Sequence, residues 1–355
     1  MATDINTFIE GGIRAAEHKE WETAYQQLSR AVHLIETENG AGLIEEAQAE
    51  IYFQRAISLL SQNEARTLND KDSFHQVLTD LEQAVDLNPV NSSYRIHKGR
   101  LYMQASFIDY SEKAQEDFQF ILEKDSKHVE ALRSMGELFS RTGKFTDAID
   151  YLTQALEHNE DAEIYLLRAV CQFKKSPPNF TGSLVDLRKA QDLGIHTAEL
   201  FLWRAQGLQE LGRKGEAIAT YNELIEMDPD NPDYYVDRGF LYDADNPDLA
   251  MEDYSKALEL EPHALAYNNR ANYYRRIGQF EAAIADAKDA LKLEQNMGIA
   301  YATLAEIYAE IGDAENLAKY MRLAMKYFYE DSVEVMMEPV FGPYLDESWF
   351  QEILQ

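Results

Sequence analysis

A chain of 355 residues is too long for one ordinary hydrophobic core, so it either divides into domains or repeats along one axis. Its 45% hydrophobic and 27% charged content, with 17 Gly and 9 Pro, excludes a disordered or low-complexity protein. The 63 acidic residues against 33 basic ones leave a formal charge of −30, which sets nucleic acid and anionic membrane aside as partners and favours a basic protein or peptide, unless the excess serves only solubility.

In chain order, apolar residues at three- and four-residue spacing predict nine pairs of amphipathic helices. The first unit, near 5–38, carries Gly12, Ala15, Trp21, Ala24, Leu28 and Ala31. The second, near 45–90, runs from Ala56 to Ala84, with helices expected near Glu45–Ser61 and Ser73–Leu87 and a polar turn over Gln62–Asp72. The third (91–127) runs from Gly99 to Ile121 and is lengthened around Ala105–Tyr110. The fourth (128–160) reads Gly136, Phe139, Gly143, Phe145, Ala148, Leu152 and Ala155. In the fifth (161–195), between Ala169 and Ala190, Ser176-Pro177-Pro178-Asn179 must interrupt the helix. The sixth (197–230) reads Ala205, Leu208, Gly212, Ala217, Tyr221, Leu224 and Pro229. The seventh (231–262) has Gly239, Tyr242, Ala250, Tyr254, Ala257 and Pro262, one residue short in its turn. The eighth (263–296) is the clearest: Ala271, Tyr274, Gly278, Phe280, Ala283, Ala287 and Ala290. The ninth (297–326) reads Ala305, Tyr308, Gly312, Leu317, Met321 and Ala324.

Each unit begins from a small anchor residue, with Gly seven positions on in the best copies, where a left-handed backbone ends the first helix. The late small position falls at 84, 121, 155, 190, 224, 257, 290 and 324, a period of 33 to 37 residues. This pattern resembles the tetratricopeptide repeat, a helix–turn–helix unit of about 34 residues. The resemblance covers about residues 5–326 and implies an all-α, right-handed superhelical solenoid. One helix pair cannot bury its own apolar face, so the pairs must stack. Residues 327–355, acidic and rich in aromatics, are expected to cap the last pair, with a short helix or turn at Ser332–Met337 and a final helix at Ser348–Leu354; the alternative is a binding tail.

No catalytic set emerges. Gly143-Lys144 is followed by Phe145 and falls in an inter-helix turn, so it is not a phosphate loop. Asp228–Asp233 and Asp243–Asp248 lack the Gly and Glu of a calcium loop and read as capping turns. The eight histidines are scattered, with no zinc motif. Cys171, the single cysteine, allows no internal disulfide and reads as a buried thiol in a reducing compartment. With no basic leader after Met1-Ala2-Thr3-Asp4 and no apolar run of about 18 residues, a cytoplasmic location is expected, with no cofactor and no enzyme activity.

The resemblance implies that the first helices line a concave groove for a peptide or partner helix. The groove positions, counted from each anchor, are Ile96, Arg100, Arg133 and Arg141 in units three and four. Units five to seven give Leu166, Val170, Phe173, Lys174, Leu202, Gln206, Val236 and Phe240, and unit eight gives Asn268, Asn272, Arg275 and Arg276. The arginines would pair with partner carboxylates, and the asparagines would hold its backbone. The competing reading packs Leu166, Val170, Val236 and Phe240 against neighbouring helices. Asn269-Arg270-Ala271 resembles the middle of a clamp for a chaperone's C-terminal carboxylate. The rest of that clamp is missing, with Val236, Phe240, Ile299 and Thr303 where its partners would stand. The function expected is a protein-binding scaffold; the alternatives are a solenoid that self-assembles through its end faces and a chaperone-associated co-factor.

Overall fold

The computed structural model describes residues 2–37, 43–62, 70–105, 109–327 and 339–354. Among these residues the regular structure is entirely helical. The pairs are α1 (Ala2–Glu17) with α2 (Trp21–Thr37), α3 (Glu45–Gln62) with α4 (Lys71–Leu87), and α5 (Ser92–Gln104) with α6 (Ser111–Lys124). Next come α7 (Val129–Arg141) with α8 (Phe145–His158), α9 (Ala162–Lys174) with α10 (Phe180–Asp192), and α11 (Ala198–Glu210) with α12 (Lys214–Met227). The last are α13 (Pro232–Tyr242) with α14 (Pro247–Leu260), α15 (Ala264–Arg276) with α16 (Phe280–Leu293), and α17 (Gly298–Ile311) with α18 (Ala314–Tyr327). A 3₁₀ turn, Pro339–Tyr344, and α19 (Ser348–Leu354) follow. Two compact units divide the chain, Met1–Ile195 and His196–Gln355.

Local chemistry sets the helix ends. Asp70, Asn91, Asp161, Thr197 and Asn231 each accept a hydrogen bond from a backbone N–H of the first turn that follows. His128 and His263 cap α7 and α15 in the same way through Nδ1. Between the helices of a pair, Gly143, Gly212, Gly278 and Gly312 take φ of 74°, 68°, 72° and 81°, as their position seven after the anchor predicts. The first unit has no glycine there, and Lys19 adopts φ 59° in its place.

The anchors are small because helices cross on them. A Cβ at Gly136 would lie 2.5 Å from Leu152 Cγ, and one at Gly239 2.7 Å from the Tyr254 ring. Ala56, Ala169, Ala205, Ala271 and Ala305 are fully buried at the equivalent places. Within each compact unit every helix packs on its chain neighbours, and several odd helices also touch the next odd one: α1·α3, α5·α7, α7·α9, α13·α15 and α15·α17. Within each compact unit these odd helices therefore share one face.

The expected break at Ser176–Asn179 separates α9 from α10. Most of the Gln62–Asp72 turn, the centre of Ala105–Tyr110 and all of Ser332–Met337 lie outside the described residues. At the C-terminal end, Phe341 and Phe350 are fully buried against Leu304, Leu317, Tyr320 and Met321, and Tyr344 Oη donates to the Ala309 carbonyl at 3.0 Å. Burying two such rings stabilises the last pair by about 2–3 kcal/mol each.

Candidate functional site

A recurring ion pair ties the two helices of most units together. The basic residue just before the anchor reaches an Asp on the second helix: Arg55 to Asp80, Lys98 to Asp117, Arg168 to Asp186, Arg238 to Asp253 and Arg270 to Asp286. The Asp always stands four residues before the late small position. Arg204 meets Thr220 at that place, together with Glu223. The guanidinium also lies over the aromatic ring one turn earlier, as with Arg168 on Tyr165, Arg204 on Phe201 and Arg238 on Tyr235. This repeated bond, which the sequence reading did not anticipate, engages Arg270 inside its own unit, so the resemblance of Asn269-Arg270-Ala271 to a carboxylate clamp has a structural cause.

In the unit Met1–Ile195, three of the predicted groove residues meet. Arg100, Arg133 and Arg141 line one cleft of about 450 Å³ across α5, α7 and the start of α9, together with the carboxylates of Glu130, Glu137 and Asp161. Arg100 Nη1 donates to Glu130 at 2.9 Å. Arg133 donates to Glu137 at 3.0 Å and to Glu163 at 2.5 Å. Burial opposes the Arg133 charge, but these carboxylates outweigh it and hold the guanidinium above its ordinary pKa. Arg141 donates to the Met103 carbonyl at 3.0 Å, and among the described residues no carboxylate lies within ion-pair range of it. Leu166, Val170 and Phe173 are half-buried on α9, and Lys174 is exposed at its end. Phe173 stacks edge-on against Phe180, with ring centroids 4.9 Å apart. Ile96 is a correction: it is fully buried and faces no groove.

In the unit His196–Gln355 the groove positions divide. Leu202 and Gln206 are half-buried on α11. Val236 is buried in the core, whereas Phe240, one turn on, is 59% exposed. The asparagines are corrected as well. Thr303 Oγ1 donates to Asn268 Oδ1 at 3.0 Å, and Asn272 Nδ2 donates to Thr303 Oγ1 at 3.2 Å. Through Thr303 both amides join α15 to α17, and Asn268 is buried there. Arg275 is held by Glu306 at 3.0 Å and Glu310 at 2.5 Å, and Arg276 by Asp243 at 2.9 and 2.5 Å. The structure therefore uses this basic pair to brace α15 against α17 and α13.

The capping reading of Asp228–Asp233 matches the bonds seen, with Asp233 N donating to Asn231 Oδ1 at 3.0 Å. Cys171 is buried, and burial pushes its thiol pKa up, away from nucleophilic character. Among the described residues no group of three or more His, Cys, Asp or Glu side chains is placed to hold a metal, and no helix is long and apolar enough to cross a membrane.

Three stretches match models of the repeat that the spacing resembles. Residues 133–176 and 264–297 match models described as tetratricopeptide repeat, and residues 208–246 match one described as TPR repeat. The TPR repeat-containing protein YpiA of Bacillus subtilis (strain 168) is 23% identical in an alignment that covers 92% of this chain and 80% of that protein. The DnaJ homolog subfamily C member 7 homolog of Dictyostelium discoideum is 22% identical over 90% of this chain and 59% of its own length. Tetratricopeptide repeat protein 13 of Homo sapiens is 27% identical over 62% of this chain but only 26% of its own length. Among solved structures, YrrB, described as a TPR protein with an unusual peptide-binding site, aligns at 22% identity and a TM-score of 0.47, over 52% of this chain and 95% of that one. The Cut9–Hcn1 hetero-tetramer aligns at 13% identity and a TM-score of 0.46, over 97% of this chain and 75% of that one.

Proposed function

The chain belongs to the tetratricopeptide-repeat family, and from that premise we propose that it is a scaffold that acts by binding another protein, with a peptide or partner helix laid across the odd-helix face. The observation that carries this reading is the cleft on α5, α7 and α9, where Arg100, Arg133 and Arg141 converge in a chain of net charge −30. In so acidic a protein, a local set of guanidiniums is the surface that a carboxylate-bearing partner selects. Glu130 and Glu163, which engage two of these arginines, are the more exposed members of their pairs and turn into water when a partner carboxylate replaces them. The buried Cys171 fits a reducing compartment, and we place the scaffold in the cytoplasm.

The test is capture from the native host with the wild-type chain and with Arg133 and Arg141 both changed to Glu, quantified by mass spectrometry. Proteins lost from the variant mark the ligands of the cleft. The same capture profile from both chains would sink this reading. A second reading, self-assembly through an end face, draws on an apolar cleft of about 380 Å³ on the first pair, lined by Phe8, Ser29, Arg30, His33 and Leu34. Light scattering over a concentration series separates the two, because only self-assembly makes the mass grow with concentration.

A further inference from the structure

The unit Met1–Ile195 holds a second cleft on the odd-helix face, mainly aliphatic where the first is charged. Ile9 and Ile13 of α1, Leu28 of α2, Leu43 just before α3 and Ile51 of α3 line about 290 Å³ between α1 and α3, with Asn6, Glu50 and Gln54 at its polar side. Ile13 is exposed, although it sits on a helix whose other face is core. The two clefts are equivalent in register. Asn6, Ile9 and Ile13 stand six before, three before and one after the anchor Gly12; Glu130, Arg133 and Glu137 hold the same places relative to the anchor Gly136. They therefore open on the same face, three repeats apart.

Helices pack at up to 10 Å, so three repeats separate the clefts by about 30 Å. An extended backbone covers that distance in about nine residues, at about 3.3 Å each. Resting on the groove reading above, we propose that this unit takes a two-point partner: an extended segment whose acidic side chain enters the arginine cleft and whose aliphatic side chain fills the α1–α3 cleft about nine residues away. Arg141 supplies a guanidinium with no carboxylate of the described residues in ion-pair range, and Arg100 and Arg133 are already held in orientation for it. The apolar cleft adds a contact that charge alone does not provide, and the fixed separation turns the face into a ruler that discriminates by spacing.

The test selects binders to the full-length chain from a phage-displayed random library of about 16 residues, long enough to reach both clefts. The best sequence is then made as a labelled synthetic peptide. Enriched sequences should pair an acidic with an aliphatic residue at the stated spacing. Ile13→Glu and Arg141→Glu should each weaken the peptide by about tenfold or more, and so should shortening its spacer by four residues. Ile13→Ala, with thermal melts of every variant, guards against a folding defect. A peptide that responds to Arg141→Glu but not to the Ile13 variants or the spacer overturns the two-point reading and leaves the groove reading standing. Response to Ile13 alone overturns it from the other side. Indifference to both positions, or a library that yields no binder, overturns both readings.

Discussion

Arg238 on α13 forks onto Asp253 on α14, with Nε 2.9 Å from Oδ2 and Nη2 2.6 Å from Oδ1. Asp253 is buried, and that fork is its partner across the two helices. Arg238→Met removes one partner and leaves the other charge buried, which costs about 3 kcal/mol. Arg238→Met combined with Asp253→Leu removes both and should recover most of the loss. Urea unfolding of the parent, the single and the double variant checks this. A double variant as unstable as the single one would mean that the pair contributes beyond its charge balance.

The same bond shows what the sequence disclosed and what it concealed. The period, the anchors and the glycines of the turns were legible because each depends on residues within one unit. The Arg–Asp pairs were not, because turn length varies: the partners are 25 residues apart for Arg55, 18 for Arg168, 16 for Arg270 and 15 for Arg238. Counted back from the late small position, the Asp is constant, and that signal was available. Asn268 departs from the groove expectation, and Val236 follows the competing packing reading, for a different reason. Their burial is decided by what the neighbouring unit offers, such as Thr303, 35 residues on from Asn268, and periodicity within one unit carries no information about it.

Gly136 faces Leu152 so closely that any Cβ must displace it. Gly136→Val should destabilise the N-terminal unit by about 3 kcal/mol. Leu152→Ala costs stability alone but should return part of the loss in the Gly136→Val background, because it vacates the space. Thermal unfolding of the four chains measures the coupling. Additive losses would show that the clash is relieved elsewhere.

Lys19 occupies the turn position that glycine fills in the regular units, with φ 59°. A left-handed backbone costs an ordinary residue about 1 kcal/mol. Lys19→Gly should therefore raise the stability of the first pair by up to that amount, less the added chain entropy of glycine. Amide hydrogen exchange across α1 and α2 reads the change directly, and slower exchange is the expected outcome. Faster exchange would show that Lys19 makes a compensating contact.

Asp237 gives a pH dependence whose sign is opposite to that of a stabilising carboxylate. Burial pushes its pKa above the ordinary value of 3.8; the hydrogen bond from Tyr221 Oη, at 3.1 Å, and the nearby His263 pull it down, and Asp233 adds to the rise. The folded chain therefore holds this proton to higher pH than the unfolded chain does. Between the two values the folded state binds more protons, so stability falls as pH rises through the window. Below the unfolded value the penalty is absent, and above the folded value it is complete. Asp237→Asn removes the charge while its amide oxygen still accepts from Tyr221. It should stabilise the C-terminal unit at pH 7 by about 1 kcal/mol, the scale of a poorly compensated buried polar group. That advantage should shrink toward zero as the pH is lowered past the carboxylate range. Denaturant midpoints of parent and variant at matched pH values test this, because the other carboxylates titrate equally in both chains. A gap that stays constant with pH would assign the effect to packing and remove the charge from the explanation.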